Sequence, residues 1–296
     1  IPVFPLPIVG FVADTVCAGQ STSFTNSSSV PSGIITSYQW NFSNGSSSNS
    51  MNPASTFGAG VSSAQLIATT DQGCVDSVSA SIRVWQLPVA DFIADTTAGC
   101  PPVNANFIDL STSIDGPVTG WLWNSGNGNT STTNSLTSNY TIAGFYDVGL
   151  QVTTSYGCVS DTLFGSYIQV YDQPIANFST MPVQPSVYVP NVQFLNESFA
   201  AAIWNWNFGD ASFSSMQNPS HNYGNAGNYN VTLTAQSAMG CVSTVSQPVS
   251  VYQLPDALFT APPVCEGAPT LFTDASTSTS GGINFWNWSF GDGQTS

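Results

Sequence analysis

Trp204-Asn205-Trp206-Asn207-Phe208-Gly209-Asp210-Ala211 is the stretch that decides the fold, because kindred phrases occur three more times along the chain. They read Tyr-Gln-Trp-Asn-Phe-Ser-Asn-Gly at 38–45, Trp-Leu-Trp-Asn-Ser-Gly-Asn-Gly at 121–128 and Trp-Asn-Trp-Ser-Phe-Gly-Asp-Gly at 286–293. The central tryptophans, Trp40, Trp123, Trp206 and Trp288, lie 83, 83 and 82 residues apart. Self-similarity at a fixed period is the signature of a repeat architecture.

The repeat also sets the expected domain boundaries. Leu-Pro or Gln-Pro junctions recur at Pro7, Pro88, Pro174 and Pro255. The predicted divisions are the end of a preceding repeat at 1–7, complete repeats at 8–88, 89–174 and 175–255, and the first half of a fourth repeat at 256–296. Because half a sandwich cannot close its core, we expect the chain to be a segment of a longer polypeptide or to be completed by another chain.

Within each repeat the apolar residues alternate with polar ones. Tyr229-Asn-Val231-Thr-Leu233-Thr-Ala235 shows the period of two that a half-buried strand requires. Clusters of Gly, Pro, Asn and Ser separate such runs, and no stretch has a helical stripe. Seven or so short strands in about 83 residues, with a Trp in the third, predict an all-β fold of tandem immunoglobulin-like sandwiches arranged head to tail.

The chain has very few charged residues. It has 296 residues, with 6% charged, one Lys or Arg, one His and a net charge of −15. A single cation cannot neutralise phosphates, so nucleic acid is excluded as a partner. No stretch is apolar and long enough for membrane insertion. The surface must therefore be kept dispersed by its 43 Ser and 29 Thr, by attached sugars, or by packing against neighbours.

At these residues the sequence resembles a tandem array of PKD (polycystic-kidney-disease) domains. The third repeat matches best, with Trp206-Asn-Phe208-Gly-Asp210, then Asn218-Pro-Ser-His221-Asn-Tyr223, then Gly227-Asn-Tyr229-Asn-Val231-Thr-Leu233. The first and second repeats depart from the pattern, since Ser43-Asn-Gly45 and Gly126-Asn-Gly128 replace the acidic turn. The resemblance implies extracellular, non-catalytic spacer, adhesive or ancillary modules of large secreted, bacterial proteins.

We therefore expect a structural protein of the cell surface or the extracellular space, a glycosylated rod or fibre segment, and not an enzyme. Its expected partners are copies of itself or further repeats, and glycans. The alternative is an adhesin or a carbohydrate-binding ancillary module of a larger secreted enzyme. A serine nucleophile needs a base and an orienting partner, and one His in one repeat leaves a catalytic triad without its parts.

No cofactor is expected. Asp210 and Asp292 are weak calcium candidates, because each offers one carboxylate where calcium takes six to eight oxygens. The competing interpretation is a side-chain cap of a tight turn. His221 has no companion His or free Cys at ligand spacing, which favours a structural role.

Each central tryptophan is preceded, two positions earlier, by a second aromatic residue, and these pairs give one further prediction. The central tryptophans are expected in the core, and the aromatic residue two positions earlier is expected to face outward. Such a column either stacks on sugars or a neighbouring chain, or is covered by a loop or the next domain. Its members are Tyr38, Trp121, Trp204 and Trp286.

Two patterns suggest glycosylation. Asp followed by Ser or Thr and then an apolar residue or Thr resembles an O-glycosylation signal of certain bacterial secreted proteins, with Thr15, Ser77, Thr96 and Thr162 as acceptors. The competing interpretation is that these are strand-end residues of the repeat. Asn-x-Ser/Thr triplets give weaker candidates at Asn26, Asn41, Asn44, Asn129, Asn139, Asn177, Asn196, Asn230 and Asn287.

The six cysteines allow two disulfide schemes. Pairing within a repeat gives Cys17–Cys74 and Cys100–Cys158. In this topology, however, the two cysteines of one repeat lie at opposite poles, roughly 25 Å apart, whereas a disulfide needs Cα atoms within ~7 Å. Pairing across the junctions gives Cys17–Cys158 and Cys100–Cys241, both with a separation of 141 residues. Cys74 would then bond to the preceding repeat and Cys265 to a following one.

Overall fold

The computed structural model describes residues 2–296, which form two compact units, one up to Val170 and the other over Tyr171–Ser296. Both are built from strands and irregular segments, and the described residues contain no helix. It follows that no helix within residues 2–296 is available to cross a membrane. The predicted all-β class is confirmed.

The first unit begins with one sandwich. Its strands are β1 Phe11–Ala13, β2 Val16–Cys17, β3 Ser21–Asn26, β4 Ile35–Phe42, β5 Ser47–Ser48, β6 Ala54–Thr56, β7 Gly60–Thr70 and β8 Val75–Trp85. One sheet has the order β1-β3-β6 and the other β2-β8-β7-β4-β5. All pairs are antiparallel except β2 with β8, where the start of the repeat runs parallel to its end.

A second sandwich follows in the same unit and repeats this topology. Its strands are β9 Phe92–Ala94, β10 Ala98–Gly99, β11 Val103–Asp109, β12 Val118–Asn124, β13 Thr130–Ser131, β14 Ser135–Tyr140, β15 Gly144–Thr154 and β16 Val159–Val170. The sheets have the orders β14-β11-β9 and β10-β16-β15-β12-β13.

The second unit holds a third sandwich and the beginning of a fourth. The strands are β17 Phe178–Met181, β18 Asn191–Asn196, β19 Ile203–Asn207, β20 Phe213–Ser214, β21 Ser220–Asn222, β22 Gly227–Gln236, β23 Val242–Val251, β24 Phe259–Thr260 and β25 Thr273–Asp274. The third sandwich pairs a sheet β17-β18-β21 with a sheet β20-β19-β22-β23. Its counterpart of β2 is reduced to one parallel bridge between Ser186 and Tyr252.

Each complete sandwich is organised around its central tryptophan. Trp40, Trp123 and Trp206 are fully buried between the two sheets of their repeats. Each indole Nε1–H donates to the backbone carbonyl ten residues later, at 3.0, 2.9 and 2.9 Å. Burying the indole therefore leaves no polar atom without a partner, which removes the main penalty for placing Trp in a core.

The prediction that the preceding aromatics face outward is wrong for Tyr38, Trp121 and Trp204. All three are half-buried and pack against the core of their own repeat. The physical reason is the strand period of two, which places residues two positions apart on the same face of the sheet. Trp286 is 45% exposed in the incomplete fourth repeat.

The position of these aromatics also reveals a missing hydrogen bond. The indole of Trp121 donates to Asp109 at 2.7 Å, and that of Trp286 donates to Asp274 at 2.8 Å. In the third repeat Asn196 occupies the equivalent place, with its side-chain oxygen accepting from the Ser198 amide at 3.1 Å. The indole Nε1 of Trp204 is buried with no partner among the described residues.

Asn196→Asp is therefore expected to stabilise the third repeat by about 1–2 kcal/mol, because the new carboxylate oxygen can accept from the Trp204 indole. Differential scanning calorimetry would measure the gain. Asn26→Asp is the matched control, since Tyr38 replaces the tryptophan there and no gain is expected. Equal effects of the two changes would contradict the assignment of the missing acceptor.

Candidate functional site: the junction of the first two repeats

The junction begins where the first sandwich ends. Strand β8 carries Arg83 and Trp85, and β2 lies beside its last residues, with Val16 opposite Val84 and Cys17 opposite Trp85. The β2–β8 pairing thus brings the first turn of the repeat next to its exit. From Trp85 a short segment containing Pro88 leads into the second repeat, and proline restricts the backbone there.

A disulfide crosses the junction. Cys17, at the end of β2, is bonded to Cys158, with their Cα atoms 5.5 Å apart. Cys158 lies in the turn between β15 and β16, where its amide donates to Thr154 Oγ1 at 3.2 Å and its carbonyl accepts from the Thr154 amide at 2.9 Å. Because both cysteines are buried, the bond is set into the packed ends of two sandwiches.

An aromatic stack lies beside the disulfide. The rings of Trp85 and Tyr156 are 4.0 Å apart and inclined by 8°, so one repeat stacks directly on the other. The Arg83 guanidinium carbon lies 5.0 Å from the Trp85 ring centre, within the range of a cation–π contact. Gly116 (φ 79°) lies under Tyr156, and a Cβ at that position would come within 2.9 Å of the tyrosine ring.

The lone cation of the chain is used at this junction. Arg83 forms an ion pair with Asp115 of the second repeat. The other carboxylate oxygen of Asp115 accepts from the Gln86 backbone amide at 2.7 Å. The Asp115 side chain is 7% exposed, whereas that of Arg83 is 43% exposed. The carboxylate is therefore held by two donors from the first repeat, which is how a buried charge is tolerated.

These contacts lower the pKa of Asp115. The hydrogen bond from the Gln86 amide has the largest effect; burial raises the pKa, and the hydrogen bond and positive charge of Arg83 lower it further. A carboxyl whose pKa is lower in the folded state stabilises that state above its ordinary value of 3.8. That contribution is lost as the pH falls through the folded-state pKa.

Acidification from pH 7 to pH 3 is therefore expected to widen the range of angles between the first two repeats, and Asp115→Asn is expected to remove much of this response. Small-angle scattering of both proteins at the two pH values would measure the angle distribution. Asp95 is the matched control, because its pKa is also lowered but its hydrogen bonds stay within the second repeat. An Asp95→Asn response equal to that of Asp115→Asn would contradict the prediction.

The other cysteines divide into two groups. Cys100 and Cys241 are each disulfide-bonded, and their pairing with one another stays a prediction. Cys74 and Cys265 are free thiols within residues 2–296. Because Cys158 is bonded to Cys17, the alternative scheme of Cys17–Cys74 and Cys100–Cys158 does not apply to this structure.

The calcium candidates lie in turns. Asp210 accepts from the Ser212 amide at 3.1 Å and pairs with His221 Nε2 at 2.7 Å, and Asp292 accepts from the Gln294 amide at 2.9 Å. Burial raises the pKa of Asp210, but its bonds to His221 and Ser212 outweigh this, so the pKa lies below its ordinary value. Residues 2–296 contain no group of three or more His, Cys, Asp or Glu side chains arranged to hold a metal ion.

His221 is part of an aromatic cluster. Its ring stacks on Phe208 at 4.2 Å and meets Tyr223 edge-on at 4.6 Å. Together with the bond to Asp210, these contacts occupy the imidazole within the third sandwich, and the geometry matches the structural role expected from the sequence.

The O-glycosylation candidates lie in similar segments of the first two repeats. Thr15 and Thr96 lie between the first two strands of their repeats, and Ser77 and Thr162 lie near the start of the last strand. Thr15 and Ser77 are exposed, whereas Thr96 and Thr162 are half-buried. Of the asparagines, Asn26, Asn41 and Asn196 are half-buried; the exposed ones are Asn44, Asn129, Asn139, Asn177, Asn230 and Asn287.

The ion pair and the aromatic stack were missed in the sequence. One signal was available for the ion pair, because a chain with a single Arg places it five residues before a junction proline. Nothing in the sequence indicates Asp115 rather than another of the aspartates. Tyr156 precedes the Gly-Cys pair, a position held by Gln72 and Met239 in the other complete repeats, so the stack is particular to this junction.

Comparison with known proteins agrees with this organisation. The PKD domain profile matches residues 5–85, 85–164 and 173–251. The pre-pro-metalloprotease PrtV of Vibrio cholerae serotype O1 (strain M66-2) is 31% identical over 152 residues, which make up 48% of this chain and 16% of that protein. The chain thus spans less than a fifth of that relative.

Two solved domains show the same relationship. The PKD1 domain of the Vibrio cholerae metalloprotease PrtV is 32% identical, with 29% of this chain and 99% of that domain covered and a TM-score of 0.26. The PKD1 domain of Vibrio anguillarum Epp is 30% identical, with 29% and 98% covered and a TM-score of 0.26. With three profile matches that take in most of its length, the chain belongs to the PKD domain family.

Proposed function

We propose that this chain is a segment of an extracellular structural protein, in which PKD repeats are joined by locked junctions into a stiff rod or fibre. The observation that carries the proposal is the junction of the first two repeats. A disulfide, an aromatic stack and a buried carboxylate bound from the neighbouring repeat all restrain the same joint. Ordinary repeats joined for flexibility would not need three restraints of different chemistry.

The composition supports the same proposal. The single cation of the sequence serves the joint and leaves the surface to hydroxyls, amides and carboxylates. Such a surface attracts neither nucleic acid nor anionic lipid. The partners that fit it are further repeats, other copies of the chain, and glycans, and the proposed activity requires no cofactor.

Glycosylation is the finer part of the proposal. Thr15 and Ser77 support it best because both are exposed and follow an aspartate. Sugars at these places would shield strands close to sheet edges, which otherwise invite pairing with other chains. Intact mass and peptide mapping of material from the native source would show added hexose masses at these residues, and unmodified peptides at both would overturn this part.

Electron microscopy of single 296-residue chains tests the rod. We expect particles in which the first two repeats keep one angle from molecule to molecule. Asp115→Asn combined with Arg83→Gln provides a variant that loses the ion pair and keeps the disulfide, and it should show a modestly wider spread. A wild-type joint that bends freely would overturn the proposal.

A second function is favoured by one comparison. Because part of the chain is similar to a pre-pro-metalloprotease, the repeats would serve as ancillary modules of a larger secreted enzyme, with binding to carbohydrate as their contribution. Trp204 is half-buried in a complete repeat, and the part of its ring that stays accessible is the surface that would stack on a sugar. A glycan-array signal that Trp204→Ala abolishes would favour this function over the rod.

A further inference from the structure

The junction disulfide joins two segments of the chain that are already extended. Cys17 is the last residue of β2, and Cys158 directly precedes β16. A covalent route therefore leads from the opening segment of the first repeat through the bond into the last strand of the second. The residues between the two cysteines lie outside this route. They include β3 to β15, which hold most of the buried side chains of both sandwiches.

The segment before Cys17 is extended for most of its length. One antiparallel register holds from the bridge between Ile8 and Ser29 to the pair of Ala13 and Phe24. The chain then crosses to the other sheet, where β2 runs parallel to the end of β8. Because a strand is already close to the greatest length that its residues can span, pulling on this segment can lengthen it only slightly.

The segment after Cys158 is a single strand of 12 residues. β16 pairs with β15 from Val159, opposite Thr153, to Val170, opposite Gly144. Its last two residues also pair with β10 at the start of the second repeat. The register shifts once along the strand, and Ser166 has a φ of 52° there, so this irregularity is the small reserve of length that the strand contains.

We propose that the first two repeats form a tether of fixed length, in which the bond between Cys17 and Cys158 transmits tension past both hydrophobic cores. An extracellular protein that is anchored at one end and bound at the other is pulled along its chain. Without the bond, that force would act on β3 to β15 and unfold them. With the bond, the force follows residues 8–17 and 158–170, which are already extended.

The tether goes beyond the proposed rod, because a rod resists bending whereas a tether resists extension. The stack of Trp85 on Tyr156 and the ion pair of Arg83 with Asp115 restrain the angle of the joint. Neither contact lies on the covalent route, so the fixed length does not depend on them. A joint that bends freely while its length stays constant would refute the rod and leave the tether intact.

Optical tweezers applied to the full chain test the tether. DNA handles attached through p-azidophenylalanine in place of Phe4 and Tyr171 put the first two repeats between the pulling points. With the disulfide intact, the covalent route between the handles consists of residues 4–17 and 158–171, which span about 9–10 nm when fully stretched. Because these segments are already extended in the folded protein, we expect stretching to release less than about 5 nm.

The variant Cys17→Ala with Cys158→Ala is expected to reach a maximal length about 50 nm greater, the contour of the 141 residues that the bond spans. This comparison holds even if the variant does not fold, since the contour length of a stretched chain does not depend on a folded starting state. A reductant added to the protein that retains both cysteines should give the same gain in length.

Arg83→Gln is the matched control, because it removes the ion pair at the same joint and leaves the covalent route unchanged. This variant should release as little length as the protein with the original arginine. Two results would overturn the proposal. One is a release of tens of nanometres from oxidised protein that retains both cysteines, and the other is an equal maximal length with and without the bond.

Discussion

Trp123→Ala is expected to lower the free energy of unfolding of the second repeat by about 3–5 kcal/mol, the cost typical of removing a large aromatic side chain from a core. The indole is fully buried and lies 5.3 Å from the ring of Phe92 and 6.2 Å from that of Phe107. Alanine would leave a cavity between the two sheets and orphan the Thr133 carbonyl that accepts from the indole at 2.9 Å.

Leu122→Ala is the matched control. Leu122 is the adjacent residue on β12 but is 51% exposed on the other face of the sheet, so its truncation should cost less than about 1 kcal/mol. Chemical denaturation followed by tryptophan fluorescence and circular dichroism would measure both. Similar losses for the two variants would contradict a core organised around Trp123.

The same loss should reach the junction, because Tyr156 and Cys158 belong to the second repeat. When that sandwich unfolds, Tyr156 and Asp115 are no longer held in position, so the stack on Trp85 and the ion pair with Arg83 are lost. We therefore expect the Trp123→Ala chain to lose the fixed angle between its first two repeats at the temperature at which the second repeat unfolds. A fixed angle above that temperature would show that the joint is independent of the core.

The sequence predicts the features that depend on a repeating pattern. The 83-residue spacing of tryptophans located the sandwiches, and alternation in stretches such as 229–235 located strands that the structure confirms as part of β22. The length of the strands also separates the two cysteines of one repeat, which lie at opposite ends of the sandwich. That separation favours a bond between Cys17 and Cys158 of different repeats, as the structure has it. These features follow from local periodicity and chain geometry alone.

What could not be predicted depends on which residues meet across a junction. Asp115 and Arg83 are 32 residues apart, and many polar residues of that loop were equally available by sequence. The outward orientation expected for Trp204 is wrong for a different reason, because the period of two places Trp204 and Trp206 on the same face of their strand. The missing indole acceptor beside it becomes visible only when the third repeat is compared with the second in three dimensions.

Replacing Cys17 and Cys158 together with alanine is expected to destabilise the first unit by about 2–4 kcal/mol and to broaden the angle between its repeats. The bond closes a separation of 141 residues, so its removal enlarges the unfolded ensemble considerably. Alanine is used at both sites because a single substitution would leave a free thiol, and serine would place a hydroxyl in a buried position. Thermal unfolding and small-angle scattering would measure the two effects.

Cys74→Ala with Cys265→Ala is the control for this variant, because both residues are free thiols and their loss should leave the unfolding temperature of the first unit unchanged.

Adding Arg83→Gln to the disulfide variant separates the contribution of the disulfide from that of the ion pair. If the disulfide alone fixes the joint, the arginine change adds nothing once the bond is gone. If the ion pair and the stack hold the remaining contact, the angle distribution should broaden further, since each restraint then carries a larger share of the joint. Unchanged scattering after loss of both would show that the Trp85–Tyr156 stack, the Gln86–Asp115 hydrogen bond and the short proline-containing connection together suffice to orient the repeats.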